Sequence, residues 1–184
     1  MKIEATTLPD VLLVRPRIFN DERGFFLESW NQRAFDEAVG REVRFVQDNH
    51  SRSRQGVLRG LHYQIEPAAQ AKLVTVMQGK IFDVAVDLRP GSATFGRWIG
   101  EELCGDERSS LWIPEGFAHG FLVLSESADV LYKTTDFYSP NQERCIRWDD
   151  PALSIRWPVS ASAPVISPKD AAGLSFEEAC GWPV

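Results

Sequence analysis

The sequence predicts an all-β fold, a sandwich or barrel, and three observations carry that prediction. Short apolar segments recur through the middle of the chain, turn residues separate them, and only two segments have a helical pattern. The apolar segments are Lys72 to Met77, Ile81 to Leu88, Phe95 to Leu103, Ser110 to Ile113, Phe117 to Leu124, Val130 to Thr135 and Glu143 to Trp148. Gln78-Gly79 follows the first and Arg89-Pro90-Gly91 the second. Short strands spaced in this way by Gly/Pro turns build sandwiches and barrels. Within the second segment Phe82, Val84, Val86 and Leu88 alternate with Asp83, Ala85 and Asp87, the period of a strand with unequal faces.

The first helix has its cap at Asn31, runs through Val39 and stops at Gly40, with Ala34, Phe35 and Ala38 on one face. A second helical candidate begins near Asp170. Two helices cannot supply a series of βαβ crossovers, which excludes a Rossmann-type parallel sheet.

Composition narrows the function classes. The 184 residues suit one domain spanning 1–184, with 43% hydrophobic and 11% aromatic residues, enough for a sizeable core. Net charge is −6, from 20 basic and 26 acidic residues, which argues against general nucleic-acid binding. The distribution is uneven: between Arg41 and Gly60 stand Arg41, Arg44, Arg52, Arg54 and Arg59 against only Glu42 and Asp48. A local cationic segment in an acidic chain suits a small anionic ligand, and a solvated arginine face is the plainer alternative. Cys104, Cys145 and Cys180 lie far apart without a C-x-x-C pattern, so a reducing cytoplasm fits better than a disulfide framework. MKIEATTLPD has no apolar h-region and does not read as a signal peptide, and runs such as Phe121 to Leu124 are too short to cross a bilayer.

Two motifs point to a site. Gly56-x5-His62 with Lys72-x6-Gly79, and PEGFAHG from Pro114 to Gly120, look like the paired motifs of the cupin jelly-roll barrels, G-x5-H-x-H…E-x6-G and P-x-G-x2-H. Gln64 replaces the second histidine of the metal set and Lys72 replaces its carboxylate. His62, His119 and an ammonium do not make a three- or four-ligand metal site, and the cation repels a divalent ion. The expectation is a barrel interior that uses no metal and no cofactor.

Longer stretches narrow this further. "DERGFFLESW", "QDNHSRS", "GVLRGLHYQ", "AKLV", "GKIFDVAVDLR", "TFGRW", "LWIPEGFAHGF", "YKTTDFYSP", "IRWDDPALSIRWP" and "SPKD" resemble, in order, the dTDP-4-dehydrorhamnose 3,5-epimerase family of dTDP-L-rhamnose synthesis. The resemblance runs from about Asp21 to Asp170 and shows no departure at the positions named below. It implies a cupin jelly roll, a homodimer, no metal, and dTDP-4-dehydro-6-deoxy-D-glucose as substrate.

Inverting a carbon next to a ketone needs a base on one face, an acid on the other and a group to hold the enolate. His62 is the natural base, because an imidazole titrates near neutrality; a core histidine bonded to a carbonyl is the alternative. The resemblance pairs His62 with Asp170, whose carboxylate fixes the tautomer and stabilises the imidazolium. It makes Tyr132 the acid, a phenol that needs a nearby cation to lower its pKa of about 10; read locally, Val130, Tyr132 and Thr134 share one strand face and Tyr132 is an ordinary core residue. Lys72, with Arg59, would stabilise the C4 oxyanion; His119 would hydrogen-bond the sugar or the oxyanion, in a binding role, and retention by the cupin architecture alone is the alternative. The resemblance further assigns Arg23 and Lys169 to the pyrophosphate and Phe26 and Glu28 to the deoxythymidine. Gln47, Asp48 and Asn49 form a substrate-contacting stretch, Tyr138 stacks, and Glu143 adds a polar contact. A diphosphate wants arginine or lysine donors, and of the adjacent Phe25 and Phe26 at most one can face a ligand. Asp83 and Asp87 share a strand face and receive no role, Asp149-Asp150 reads as a turn before Pro151, and the tail SFEEACGWPV carries none.

Three other readings remain at this level. One is a mono-epimerase acting at C3 or C5 alone. A second is a non-catalytic cupin that binds a nucleotide sugar, disfavoured by the presence of His62, Tyr132, Lys72 and Asp170. A metal-dependent cupin oxygenase is disfavoured by Gln64 and Lys72.

Overall fold

The computed structural model describes residues 1–159 and 163–180; the last four residues of the C-terminal tail lie outside that range. Among the described residues, thirteen strands and three short helices follow one another in the order β1 (Lys2–Ala5), β2 (Leu12–Arg15), β3 (Ile18–Asp21), β4 (Gly24–Leu27), α1 (Gln32–Val39), β5 (Gln47–Arg54), β6 (Leu58–Gln64), β7 (Lys72–Gln78), β8 (Lys80–Asp87), β9 (Trp98–Cys104), β10 (Ser110–Ile113), β11 (Phe117–Val123), β12 (Ser127–Thr134), β13 (Glu143–Cys145), α2 (Pro168–Ala171) and α3 (Phe176–Ala179). They form a six-stranded sheet in the order β1-β2-β10-β7-β12-β5 and a five-stranded sheet in the order β13-β6-β11-β8-β9. A separate β3-β4 hairpin completes the sheet structure. The pairs within these sheets are antiparallel, and the chain crosses repeatedly between the two large sheets, the jelly-roll arrangement the sequence predicts.

Alternation along the strands decides what lies between the sheets. From β8, Ile81 and Ala85 join Val74, Val76, Phe117, Phe121 and Val130 in the inter-sheet core. Val84 and Val86 point the other way, into a second core that the segment around Ile146, Leu153 and Trp157 covers. The alternation therefore sends Asp83 inward, with no accessible surface. A third core lies outside the six-stranded sheet, where Phe35 of α1 packs edge-on against Trp112 of β10 at 5.1 Å between ring centroids. Both cores outside the sandwich brace the sheets, so one part of the interior can be given over to polar groups.

The helix caps are as predicted. Asn31 Oδ1 accepts from the Ala34 N–H at 3.1 Å, and Gly40 takes a left-handed conformation at φ 79° while its N–H donates to Asp36 O. The buried face differs from expectation: Phe35 is buried with Val39 beside it, while Ala38 is exposed. Near Asp170 there are two single-turn helices, the first capped by Ser167 just ahead of Asp170.

Candidate active site

An open cavity of about 230 Å³ lies between the sheets, among Gln47, Asn49, Arg59, His62, Lys72, His119, Tyr132, Tyr138 and Glu143, with Ser51, Tyr63, Gln64, Gln70 and Phe121 completing its walls. The cationic and titratable residues singled out in five separate stretches of sequence thus converge on one space.

His62 and Arg59 reach it through a break in β6. Residues three apart on a regular strand face opposite ways. Here Phe121 pairs with Arg59 but His119 pairs with His62, so Gly60 and Leu61 together oppose Gly120 in a β-bulge. The bulge switches the facing and puts both side chains on the cavity side. Glycine is required at its centre: φ at Gly60 is 121°, and a Cβ there would lie 2.5 Å from Gly120 Cα and 2.7 Å from His119 O.

Behind His62 stands Asp170 on α2, only 3% exposed. Its Oδ1 lies 2.5 Å from His62 Nε2, and its Oδ2 accepts from the Ser167 hydroxyl at 2.8 Å. Burial pushes the Asp170 carboxyl up, but the bonds from His62 and Ser167 outweigh it and hold the group below the usual carboxylate range. A carboxylate that stays ionised is what a histidine needs if it is to take up a proton. The Cys145 thiol comes within 3.9 Å of the same oxygen. His62, Cys145 and Asp170 therefore form a three-membered group of metal-ligand type. Its donors are ill suited to an ion, since the carboxylate oxygen is already bound to His62 and burial pushes the thiol up to about 12.

The cupin metal positions have been reassigned one by one. The buried Gln64 amide donates to Ala68 O at 2.6 Å and Phe137 O at 3.1 Å and accepts from the Ser139 N–H at 2.8 Å. It holds the loop that carries Tyr138. Lys72 Nζ donates to His62 O at 3.0 Å. Burial pushes its ammonium down to about 8, with Glu143 and Asp83 opposing the shift and Lys169 adding to it. His119 Nε2 lies 2.7 Å from Asp83 Oδ1.

Tyr132 faces the cavity from β12, across from His62 on β6, and so belongs to the opposite sheet. Its phenol is raised above its ordinary value by burial, and Arg59 only partly offsets this. The sequence-based expectation of a phenol lowered by a neighbouring cation is corrected here. Gln47 and Asn49 point inward on β5, with Gln47 Nε2 donating to Asn49 Oδ1 and Gln47 Oε1 accepting from the Tyr138 N–H. At the rim the Tyr138 hydroxyl donates to Glu143 Oε2 at 2.7 Å, and Lys169 pairs with the same carboxylate.

Five residues expected to touch substrate do not line the cavity: Lys169, held at its rim by Glu143, and four others. Asp48 alternates outward between Gln47 and Asn49 and pairs with Lys133 at 2.8 Å, because adjacent strand residues face opposite sides. Arg23, Phe26 and Glu28 lie on or beside the β3-β4 hairpin. Arg23 pairs with Asp21 at 2.6 Å, Glu28 accepts from Asn31 at 3.2 Å, and Phe26 is 71% exposed. Phe25, on the other face, lies under the Arg108 guanidinium, which also donates to Met77 O. Met77 is five residues along β7 from Lys72, or roughly 17 Å at the strand rise. The hairpin is therefore anchored at the far end of the barrel from the cavity of its own chain.

Asp83 is the residue that sequence reasoning missed. Its signal was an acid at every fourth position of an otherwise apolar strand, but only the β8–β11 pairing, with Phe121 opposite Asp83, shows that His119 is its neighbour.

Comparison with known proteins agrees with the geometry. The family model for dTDP-4-dehydrorhamnose 3,5-epimerase matches residues 5–178. A dTDP-4-dehydrorhamnose 3,5-epimerase from Pseudomonas aeruginosa is 60% identical over 183 residues, covering 100% of both chains. The structure of a 3,5-epimerase from Legionella pneumophila in complex with dTDP-4-keto-L-rhamnose superposes with a TM-score of 0.93 at 49% identity, covering 99% of this chain and 97% of that one. A 3'-monoepimerase from Streptomyces bikiniensis in complex with dTDP-quinovose shares the fold at a TM-score of 0.90 but only 31% identity, over 98% and 92% of the two chains. By the family match and by identity along its whole length, the chain belongs to the dTDP-4-dehydrorhamnose 3,5-epimerase family.

Proposed function

We propose that this chain is the isomerase that converts dTDP-4-dehydro-6-deoxy-D-glucose to dTDP-4-dehydro-L-rhamnose, inverting C3 and C5 in turn through enolates. The observation that carries this reading is one cavity in which a His62-Asp170 pair and Tyr132 stand on opposing sheets, with Lys72 on the strand beside Tyr132 and its ammonium bonded to His62 O. His62 removes the proton next to the C4 ketone and passes positive charge into contact with Asp170. Lys72, with Arg59, stabilises the oxyanion that forms on C4; a preorganised charge in a dry site is effective because it needs no solvent rearrangement. Tyr132 returns a proton from the opposite face, which inverts the centre. Burial keeps the phenol protonated, and the enolate carbon, a stronger base than a phenolate, takes its proton.

His119, Gln47 and Asn49 hold the sugar, and Lys169, Glu143 and Tyr138 form the rim toward the nucleotide. Arg23, Phe26 and Glu28 complete the site in a homodimer, each hairpin reaching the cavity of the other copy. The free Phe26 face and the distance of the hairpin from its own cavity support this arrangement. Among the described residues no helix is long and apolar enough to cross a membrane.

The test is turnover of dTDP-4-dehydro-6-deoxy-D-glucose in D2O, followed by proton NMR. Deuterium at both C3 and C5, with a product inverted at both, is the expected result. Inversion and label at a single carbon would sink the double-epimerase reading. A mixture of His62→Ala protein with protein lacking the β3-β4 hairpin should regain activity that neither has alone, through mixed dimers with one complete site. No regain would overturn the shared-site arrangement.

A further inference from the structure

Asp83 has no part in the mechanism above, and its surroundings are unusual for a structural residue. It lies in the middle of β8 with no exposed surface, and its Oδ1 is 2.7 Å from His119 Nε2. Its Oδ2 is buried and has no hydrogen-bond partner among the described residues. A half-satisfied buried carboxylate is costly. Holding His119 does not explain that cost, because a neutral asparagine would accept the same bond from the imidazole without burying a charge. What the carboxylate adds is the charge itself.

That charge lies under a cavity whose wall holds the buried ammonium of Lys72. The charged and titratable groups around Lys72 come from six elements. They are Arg59 and His62 from β6, Asp83 from β8, His119 from β11, Tyr132 from β12, Glu143 from β13, and Lys169 with Asp170 from α2. Three of them are carboxylates. Asp170 is committed to His62 and Ser167, and Glu143 to Tyr138 and Lys169. Of the three, Asp83 alone has a buried oxygen without a hydrogen-bond partner among the described residues.

We propose that Asp83 is a positioning residue of the epimerase site, holding His119 by its ring nitrogen and supplying the buried negative charge that keeps Lys72 in its charged, oxyanion-stabilising form. The inference rests on the epimerase reading of the cavity. Burial pulls Lys72 down to about 8, and Asp83 is one of the two groups that oppose this pull. Without the carboxylate, burial is less opposed and the ammonium releases its proton at lower pH.

The experiment is Asp83→Asn, read by the 13C NMR titration of Lys72 in lysine-labelled protein and by kcat and KM across pH. The expected result is a Lys72 midpoint about one unit lower than in the wild type, with the basic limb of kcat moving down by the same amount and KM changing less than threefold. A lower kcat with an unmoved Lys72 midpoint and an unmoved limb would overturn the proposal and leave Asp83 as a structural partner of His119. The NMR titration needs no substrate, so it is independent of the assigned reaction: a shifted midpoint in a protein that never turns over the sugar nucleotide would overturn the epimerase reading and not the charge coupling. If Asp83→Asn does not fold, the 13C signal of the Asp83 side-chain carboxyl in the wild type decides. A carboxylate signal at pH 7 supports the proposal, and a carboxylic-acid signal overturns it.

Discussion

His62 and His119 stand opposite each other on neighbouring strands and face one cavity, each within hydrogen-bond distance of an aspartate, yet the two pairs are built differently. The His62 side chain is 28% exposed and its aspartate sits on a capped helix turn with both oxygens bonded. The His119 side chain is 9% exposed, and its aspartate is locked in mid-strand with one oxygen bare. Asp170 is a satisfied anion that can wait for a proton to arrive on its histidine. In the proposals above, Asp83 is the charge that acts on Lys72, and the same two residue types serve proton transfer at one place and electrostatic setting at the other.

Breaking the His62 pair should have the largest effect. Asp170→Asn keeps the size of the side chain but removes the charge that stabilises an imidazolium, and kcat should fall about 10²–10⁴-fold, the usual worth of a general base. Steady-state rates checked against retained unfolding cooperativity would measure it.

Lys72→Met should cost about 10²–10³-fold in kcat, as the loss of an oxyanion-stabilising group does, while the fold becomes more stable. The folded pKa of about 8 lies below the ordinary 10.5, so the unfolded chain binds the extra proton between those values and stability rises with pH across that window. Below about pH 8 the full penalty applies, on the order of 3 kcal/mol, and Lys72→Met removes it. In the wild type the same group makes kcat fall as pH rises through about 8, opposite in direction to the stability. Urea unfolding of both proteins at pH 7 and pH 10 separates the two effects: the stability difference should be large at the first and small at the second.

A smaller effect is expected at Gln64. Gln64→His restores the cupin ligand but cannot make all three bonds of the amide, two of them to the Tyr138 loop, so KM should rise several-fold with little change in kcat. Stability should drop by about 1–3 kcal/mol for the buried loop groups left without partners. The smallest effect belongs to Asp48→Ala: it removes an exposed ion pair worth under about 1 kcal/mol, and kcat and KM should each stay within twofold.

These contrasts also mark what a linear sequence can convey. The strand segments from Lys72 onward, the capped helix at Asn31 and the convergence of His62, Lys72 and His119 were legible, because alternation, capping residues and motif spacing are local signals; Tyr132 was singled out only by the family resemblance. The shared facing of Arg59 and His62 was not, since three residues apart on a regular strand means opposite sides and only the bulge at Gly60 reverses it. The role of Gln64 was half legible: the missing ligand shows in the motif, but two of the three bonds its amide makes depend on a loop more than seventy residues away. Asp83 was hidden because its partner is set by strand register. Arg23, Phe26 and Glu28 lie on or beside a hairpin that Arg108 holds away from the cavity of its own chain, a placement that no local pattern in the sequence records.

Deuterium exchange in two single variants tests the central distinction most directly. With dTDP-4-dehydro-6-deoxy-D-glucose in D2O, His62→Ala should abolish uptake at C3 and C5 alike, while His119→Ala should retain uptake at both carbons at a reduced rate. Uptake that survives in His62→Ala and vanishes in His119→Ala would contradict the account, because it would make the buried pair with Asp83 the one that moves the proton.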